Sequence, residues 1–180
     1  NALGSYKGYE DIVGMFGFAP KKPKRFVTFE DTIFYGSEAR NIAFYDIKEK
    51  FSAFEFEYSK HDEYVNGSIL QYGKYPYYFS GTYSKSPLTP YYGDFYGPDV
   101  AEVKYDYNNK TKENLLVLSS SFSNPINPLI ASHINKTFIV DLRHFKGFKV
   151  EEYIKENNIN KVLFIMDYNF IKSPEFELGE

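Results

Sequence analysis

The stretch that decides the fold is NLLVLSSSFSNPINPLI, residues 114–130, in which an apolar run meets a run of hydroxyls. Residues 115–118 are too few for a helix but enough for a strand that is buried on both faces. Such a strand would deliver Ser119, Ser120 and Ser121 to one edge of a sheet. The sequence therefore predicts a buried strand whose carboxyl end presents serine hydroxyls.

A helix is predicted directly after the serines, over residues 125–133. Ser123 or Asn124 can cap it, and Pro125 is tolerated in its first turn because an N–H at that position has no partner within the helix. The N–H groups of this helix would point back at the serines and stabilise negative charge beside them.

Strands and helices alternate regularly through the last third of the chain. After a turn at residues 108–110, the pattern predicts strands at 115–118, 137–140 and 161–166, with helices at 125–133 and 150–157 between them. This order favours a parallel sheet with right-handed crossovers, in which sites form at the carboxyl ends of the strands. Besides the serines, the residues at those ends are Asp141, Arg143, His144 and Asn169.

The first part of the chain has a different pattern of apolar residues. Apolar residues at helical spacing predict a helix at 3–16 that ends near Gly17. Alternation then predicts antiparallel strands at residues 26–29, 33–35, 42–45 and 54–58. We expect a single domain over residues 1–180. It would comprise an N-terminal helix and connector (1–24), an aromatic β and loop region (25–110) and the parallel α/β part (111–170).

Twelve of the 18 tyrosines lie between residues 51 and 110, interleaved with Gly, Pro and Ser. This composition predicts short strands and ordered loops, not helix. The tyrosines at 75–96 are candidates for a sugar-binding surface, because their rings stack on sugars while their hydroxyls form hydrogen bonds. Packing of the same rings as a lid over the core is the alternative.

Composition excludes several classes of function. The net charge of −3 gives no general attraction to nucleic acid, and the absence of cysteine excludes disulfides and thiolate catalysis. No apolar run approaches the roughly 18 residues of a membrane span, and no signal peptide is visible at Asn1. No phosphate loop, dinucleotide fingerprint or zinc motif occurs, so we expect no cofactor and no metal.

Three segments carry a resemblance to a known family: LLVLSSSFSN at 115–124, FIVDLR at 138–143 and VLFIMDYN at 162–169. They resemble the C-terminal half of the DHHW family, bacterial proteins of SGNH-hydrolase type that are similar to the alginate O-acetyltransferase group. LGSYKGY at 3–9 and YPYYFSG at 75–81 extend the resemblance over most of the chain. It implies an SGNH-like α/β fold: a short parallel sheet with flanking helices, preceded by an aromatic-rich antiparallel region.

The resemblance also implies site residues. Family members carry Gly-Asp-Ser or Lys-Asp-Ser where this chain has three serines, so Ser121 aligns with their nucleophile and Ser120 stands in place of the Asp. Thr82 and Tyr83 replace a Gly-Asn pair that could line an oxyanion hole. The Asp-His-His-Trp signature would lie before Asn1, and we therefore expect little or no esterase activity from these 180 residues.

Each candidate residue has an alternative structural role. Ser121 is the candidate nucleophile, or a helix cap, and His144 is the candidate base because it shares the predicted strand-end edge. Asn124 is a candidate oxyanion donor or an N-cap. Asp141 and Arg143 would orient a substrate or form a structural ion pair. Ser120 and Asn169 complete the predicted binding residues.

The sequence thus leads to two hypotheses about function. The first is an extracytoplasmic serine esterase or O-acyltransferase of cell-surface polysaccharide or another acylated substrate. The second is a non-catalytic carbohydrate-binding or cell-envelope interaction protein that keeps the fold without the chemistry. A base within reach of Ser121 distinguishes the two.

Overall fold

The computed structural model describes residues 1–46, 49–70, 92–97 and 99–166. Its helices are α1 (Ala2–Met15), α2 (Ser37–Asn41), α3 (Tyr92–Tyr96), α4 (Asn127–Ala131) and α5 (Val150–Glu156). Its strands are β1 (Arg25–Phe34), β2 (Glu49–Glu55), β3 (Asp62–Val65), β4 (Ser68–Leu70), β5 (Glu102–Asp106), β6 (Asn114–Ser119), β7 (Lys136–Val140) and β8 (Lys161–Ile165). No helix in these ranges is long and apolar enough to cross a membrane.

Six strands form one mixed sheet in the order β4-β3-β5-β7-β6-β8. β6 lies parallel to both β7 and β8, which confirms the predicted parallel arrangement and the α/β fold class. β5 pairs antiparallel with β7 and brings β3 and β4 with it. Part of the aromatic region therefore extends the same sheet that carries the serines.

The central strand β6 is buried along its whole length because each of its faces packs on a separate apolar cluster. Leu115 and Val117 face the side of α1 and α4, where Tyr9, Val13 and Ile130 are fully buried. Leu116 and Leu118 face the other side, which α5 covers with Val150, Tyr153 and Ile154. Burial of each such aliphatic side chain contributes roughly 1.5–3 kcal/mol, so β6 anchors both layers.

Helix α1 confirms the predicted N-terminal helix. The Asn1 side chain accepts a hydrogen bond from the Gly4 N–H at 2.9 Å and caps the first turn. At the other end, the Phe18 N–H donates to the Val13 carbonyl, and Gly17 has a φ of 79°. This pattern is a Schellman motif, which favours glycine at the left-handed position.

β1 and β2 form a separate two-stranded antiparallel sheet with a register shift between Thr28 and Ile33. The ring of Phe51 in β2 stacks on Phe95 of α3 at a centroid distance of 3.5 Å. Helix α3 lies in a region for which the sequence predicted no helix, and that prediction is wrong at this point.

The strand predicted at residues 42–45 is also wrong. Helix α2 ends there in a second Schellman motif, in which the Phe44 N–H donates to the Ala39 carbonyl at 2.7 Å. Ala43 takes the left-handed conformation with a φ of 53°, which no strand can include. All four residues of this segment are exposed, Ile42 at 73%, so their apolar side chains do not mark the buried face of a strand.

Candidate functional site

The carboxyl ends of β6 and β7 lie at one edge of the sheet because the two strands are parallel. Ser120 and Ser121 follow β6, and Asp141 follows β7. The structure therefore brings to one edge the hydroxyls and the carboxylate that the sequence predicted there.

The chain turns sharply after β6. The Ser120 N–H donates to the Ile165 carbonyl of β8 at 3.3 Å, and the Ser120 carbonyl accepts from the Ser123 N–H at 3.2 Å. These bonds fix the backbone on both sides of Ser120. Ser121 begins a 3-10 turn, Ser121–Ser123, and is partly exposed.

The helix predicted at 125–133 is much shorter in the structure. Pro125 has no N–H to donate to the Ser121 carbonyl, which accepts from the Asn124 N–H at 3.2 Å instead. Helix α4 begins only at Asn127 and has five residues, with no side-chain cap. The predicted capping by Ser123 or Asn124 is therefore wrong, and no long helix aims its N-terminus at the serines.

Asp141 and Arg143 form the predicted ion pair. Arg143 donates through Nε to Asp141 Oδ1 at 2.9 Å and through its terminal nitrogen to Oδ2 at 2.5 Å. This two-pronged geometry gives strong, directional hydrogen bonds, and Asp141 raises the pKa of the guanidinium above its ordinary value. The Arg143 backbone N–H also donates to Asp141 Oδ1 at 3.0 Å, which closes the loop after β7.

The same network reaches the turn after β6 through Asp99. Arg143 donates to Asp99 Oδ2 at 3.3 Å, and the Asn124 side-chain amide donates to Asp99 Oδ1 at 3.2 Å. Three loops are thus tied together at this edge. The Asn124 amide, predicted as an oxyanion donor, is engaged with a carboxylate in this arrangement.

A pocket of about 200 Å³ lies at this edge, between the turn after β6 and the antiparallel strands β3 and β5. Its polar lining includes Glu63, Ser120, Asn124, Asn127 and Asp141. Ser120 lines the pocket directly, whereas Ser121 is not among the lining residues.

Glu63 is the unusual group in this pocket. It projects from β3, is only 5% exposed, and forms no hydrogen bond or ion pair with any residue in the described ranges. Burial penalises the charged carboxylate and raises the pKa of Glu63 to about 7. A carboxyl group with such a pKa can donate or accept a proton near neutral pH.

His144 lies on the loop after β7 but is exposed and borders a different depression, together with Asn66 and Glu102. No hydrogen bond between His144 and Ser121 is present in the described part of the chain. The other two histidines are engaged elsewhere: His133 contacts the Tyr9 hydroxyl, and His61 stacks on Tyr107. The role of His144 as a base stays a prediction.

Two predictions fall outside the described residues: the binding role of Asn169 and most of the tyrosine surface at 75–96. Tyr96 does lie within them and lines the pocket. Among the described residues, no cluster of histidine, aspartate or glutamate side chains could hold a metal ion.

Sequence reasoning missed Glu63, Asp99 and Asn127. A signal existed for Glu63, since period-two alternation in the DEYV segment places it on the same side of β3 as Val65. Asn127 lies three residues after Asn124, and the sequence predicted it only as a residue of the helix at 125–133. Asp99 had no local signal, because its role depends on contacts with two loops distant in sequence.

The fold is similar to that of two solved structures of Bacillus cereus PatB1. The structure of PatB1 with a sulfonyl adduct matches with a TM-score of 0.75 and 26% identity over 100% of this chain and 61% of that chain. A second PatB1 structure matches with a TM-score of 0.74 and 24% identity over 99% of this chain and 63% of that chain.

A DHHW family protein from Eubacterium siraeum DSM 15702 is a third structural neighbour, with a TM-score of 0.65 and 22% identity over 91% of this chain and 55% of that chain. This neighbour shows that the fold of the chain also occurs in a protein of the family that the sequence resembles. The chain spans 55% to 63% of the length of these solved proteins. No protein-family model and no curated protein matches the sequence.

Proposed function

We propose that this chain is the acyl-transfer part of a serine esterase or O-acyltransferase, with Ser121 as the nucleophile. One observation carries the proposal: Ser121 follows the central parallel strand of a fold that matches PatB1, a protein solved with a sulfonyl adduct. Sulfonyl electrophiles form adducts with activated nucleophiles, and a serine at a strand end is the residue type that acyl transfer requires.

In the proposed reaction, Ser121 Oγ attacks the carbonyl carbon of an acyl ester. A C–O bond to Ser121 forms, the bond to the donor alcohol breaks, and the serine proton passes through a base to the departing alkoxide. A second attack, by a sugar hydroxyl or by water, releases the acyl group and restores the serine. His144 remains the candidate base, since it is the histidine carried by the loop after β7 at the same edge.

The acceptor we propose is a cell-surface polysaccharide, which places the protein outside the cytoplasm. The resemblance to the alginate O-acetyltransferase group supports this choice. A loop network around Arg143 would keep the edge rigid while a polymer chain passes across it.

The proposal is tested by labelling with phenylmethanesulfonyl fluoride and mapping the modified residue by mass spectrometry. We expect the label on Ser121, with loss of fluoride, and no label in Ser121→Ala. The exposed strand residue Ser68 provides the matched control, because Ser68→Ala should label as the wild type does.

Hydrolysis of p-nitrophenyl acetate gives an independent readout. Any turnover should be weak and should fall at least about tenfold in Ser121→Ala. Turnover that survives this change, or a label on another residue, would show that the nucleophile is misassigned. Absence of both label and turnover would favour the non-catalytic alternative.

A further inference from the structure

The pocket beside Ser121 has polar walls, and several of their polar atoms form no hydrogen bond with the part of the chain that the structure describes. Ser120 Oγ and the Asn127 side-chain oxygen have no hydrogen-bond partner among the described residues, although Ser120 is 3% and Asn127 is 5% exposed. The Glu63 carboxyl, also 5% exposed, lines the same pocket without a partner in the described ranges.

Buried polar groups without partners are rare in folded proteins because each loses its hydrogen bonds to water on folding. Here two such atoms, one in the turn after β6 and one at the start of α4, line a pocket together with the buried Glu63 carboxyl of β3. Their convergence on one pocket indicates a site that a ligand completes.

The chemistry of the lining selects the ligand. The Asn127 oxygen accepts hydrogen bonds, and the Ser120 hydroxyl both donates and accepts. Burial of Glu63 favours its neutral form, which also donates and accepts. A partner for all three must therefore offer several groups that donate and accept, as sugar hydroxyls do.

The charge of the pocket excludes anions. Asp99 and Asp141 contribute carboxylates to its wall, and Arg143, which pairs with both, is not among the lining residues. Among the described residues, a uronate or phosphate would meet negative charge without a facing cation. The remaining wall is apolar and includes Val65, Val103 and Ile139, which suits the C–H face of a sugar ring.

The size of the pocket limits how much of a ligand it holds. Pockets that take drug-sized molecules measure roughly 300–1,000 Å³. The volume of about 200 Å³ is smaller and fits a group the size of a single ring.

We propose that the pocket formed by Glu63, Ser120 and Asn127 binds one uncharged sugar residue. As the acceptor subsite it would hold a sugar hydroxyl near the acyl group on Ser121, and this role rests on the proposed function. Binding of the sugar itself rests on the pocket alone.

The test is sugar binding followed by two-dimensional ¹H–¹⁵N NMR. The probes are glucose, galactose, mannose and N-acetylglucosamine as neutral sugars, glucuronate as the anion and glucosamine as the cation. At least one neutral sugar should shift the amide signals of Ser120 and neighbouring pocket residues at pH 6.5. Glucuronate should leave them unchanged.

Variants locate the site. Asn127→Ala and Glu63→Ala should each weaken binding about five- to tenfold, as expected for the loss of a buried hydrogen bond. Glu63→Gln, which stays neutral and keeps both donor and acceptor capacity, should retain binding. The matched control is Asp62→Asn, which changes the exposed neighbouring carboxylate on β3 and should bind as the wild type does. The NMR spectra of the free variants verify that they are folded.

Three outcomes would overturn the proposal. If none of the neutral sugars binds, ordered water alone satisfies the three polar groups. If glucosamine binds more tightly as pH rises through 7, and Glu63→Gln abolishes that gain, the pocket is a cation site. If shifts from a neutral sugar map elsewhere, the assigned pocket is wrong.

The sugar-binding proposal and the proposed function can fail separately. Ser121→Ala should bind the neutral sugar with unchanged affinity, since Ser121 does not line the pocket. Labelling of Ser121 without sugar binding would contradict only the proposal that the pocket binds a sugar. Sugar binding without labelling would support the proposal that the pocket binds a sugar and would contradict the proposed acyl-transfer role of Ser121.

Discussion

Glu63 shows how one side chain can set a pH dependence for the whole fold. Its backbone is fixed by pairing with Leu70 and Tyr105 on the two neighbouring strands, and its side chain lines the pocket. Because the pKa of Glu63 is raised to about 7 in the folded protein, the folded state holds a proton that the unfolded chain has already lost. Stability should therefore fall as pH rises from the ordinary carboxyl pKa to about 7.

We predict that Glu63→Gln relieves this pH dependence. At pH 8 the free energy of unfolding of the variant should be higher by up to about 3 kcal/mol, whereas at pH 4 the two proteins should be nearly equal. Urea denaturation followed by circular dichroism at both pH values measures the difference. Asp62→Asn is the control, and an equal gain at pH 4 would contradict an origin in ionisation.

The residues of the site differ in how far the sequence could predict them. Ser121, Asp141 and Arg143 follow apolar runs, so their place at the sheet edge could be predicted from strand ends alone. The contact between Arg143 and Asp99 could not be predicted, because Asp99 lies in a loop more than forty positions away in sequence. Within the described ranges Ser120 Oγ and the Asn127 side-chain oxygen lack a hydrogen-bond partner, and this depends on packing, which no local sequence pattern predicts.

Helix α1 and the turn that follows α4 meet through a half-buried polar contact. Tyr9 Oη accepts a hydrogen bond from the Lys21 N–H at 2.7 Å and lies 2.7 Å from His133 Nε2. Burial lowers the pKa of His133, so the imidazole is held neutral and can accept the hydroxyl proton. The Phe18 ring stacks on the imidazole at a centroid distance of 5.3 Å and keeps it in place.

We predict that Tyr9→Phe lowers the free energy of unfolding by about 1–3 kcal/mol, because it leaves two polar groups unpaired in a half-buried contact. Tyr64→Phe is the matched control, since it removes a hydroxyl that makes no hydrogen bond with the described residues. Thermal and urea unfolding at pH 7.5 compare the two. A loss in Tyr64→Phe as large as that in Tyr9→Phe would argue against a specific role for the contact.

Helices and strands with a strong periodic pattern of apolar residues could be predicted. Segments whose structure depends on a helix end or a proline could not. β6, β7, β8, α1 and α5 all lie where the pattern predicted them, within a few residues. The helix after the serines failed because Pro125 interrupts its hydrogen bonding. The strand at 42–45 failed because its apolar side chains are all exposed at the end of α2, and the sequence does not show whether an apolar side chain is buried.

At the scale of the molecule, the sheet has a stable centre and a less protected flank. β6 pairs on both edges and is buried on both faces, whereas β1 and β2 pair only with each other among the described strands. Two-stranded sheets are marginal by themselves and depend on what packs against them. Opening of the β1–β2 sheet should therefore require less than global unfolding.

We predict that amide hydrogen exchange is slowest at Leu116, Val117 and Leu118. Their exchange should follow the global free energy of unfolding and should respond to low concentrations of urea with the full denaturant slope. Amides of β2, such as that of Ala53, should exchange through smaller openings with a shallow slope. Equal protection of both strands would show instead that the molecule unfolds as one unit.

The central position of β6 also affects how the chain folds while it is being made. Both partners of β6 follow it in sequence, so β6 leaves the ribosome with two open edges, and the second closes only after Ile165 has emerged. An apolar strand with unpaired N–H and C=O groups can pair with another nascent chain. Slower synthesis at low temperature, or a chaperone that binds extended apolar segments, should therefore raise the yield of soluble protein.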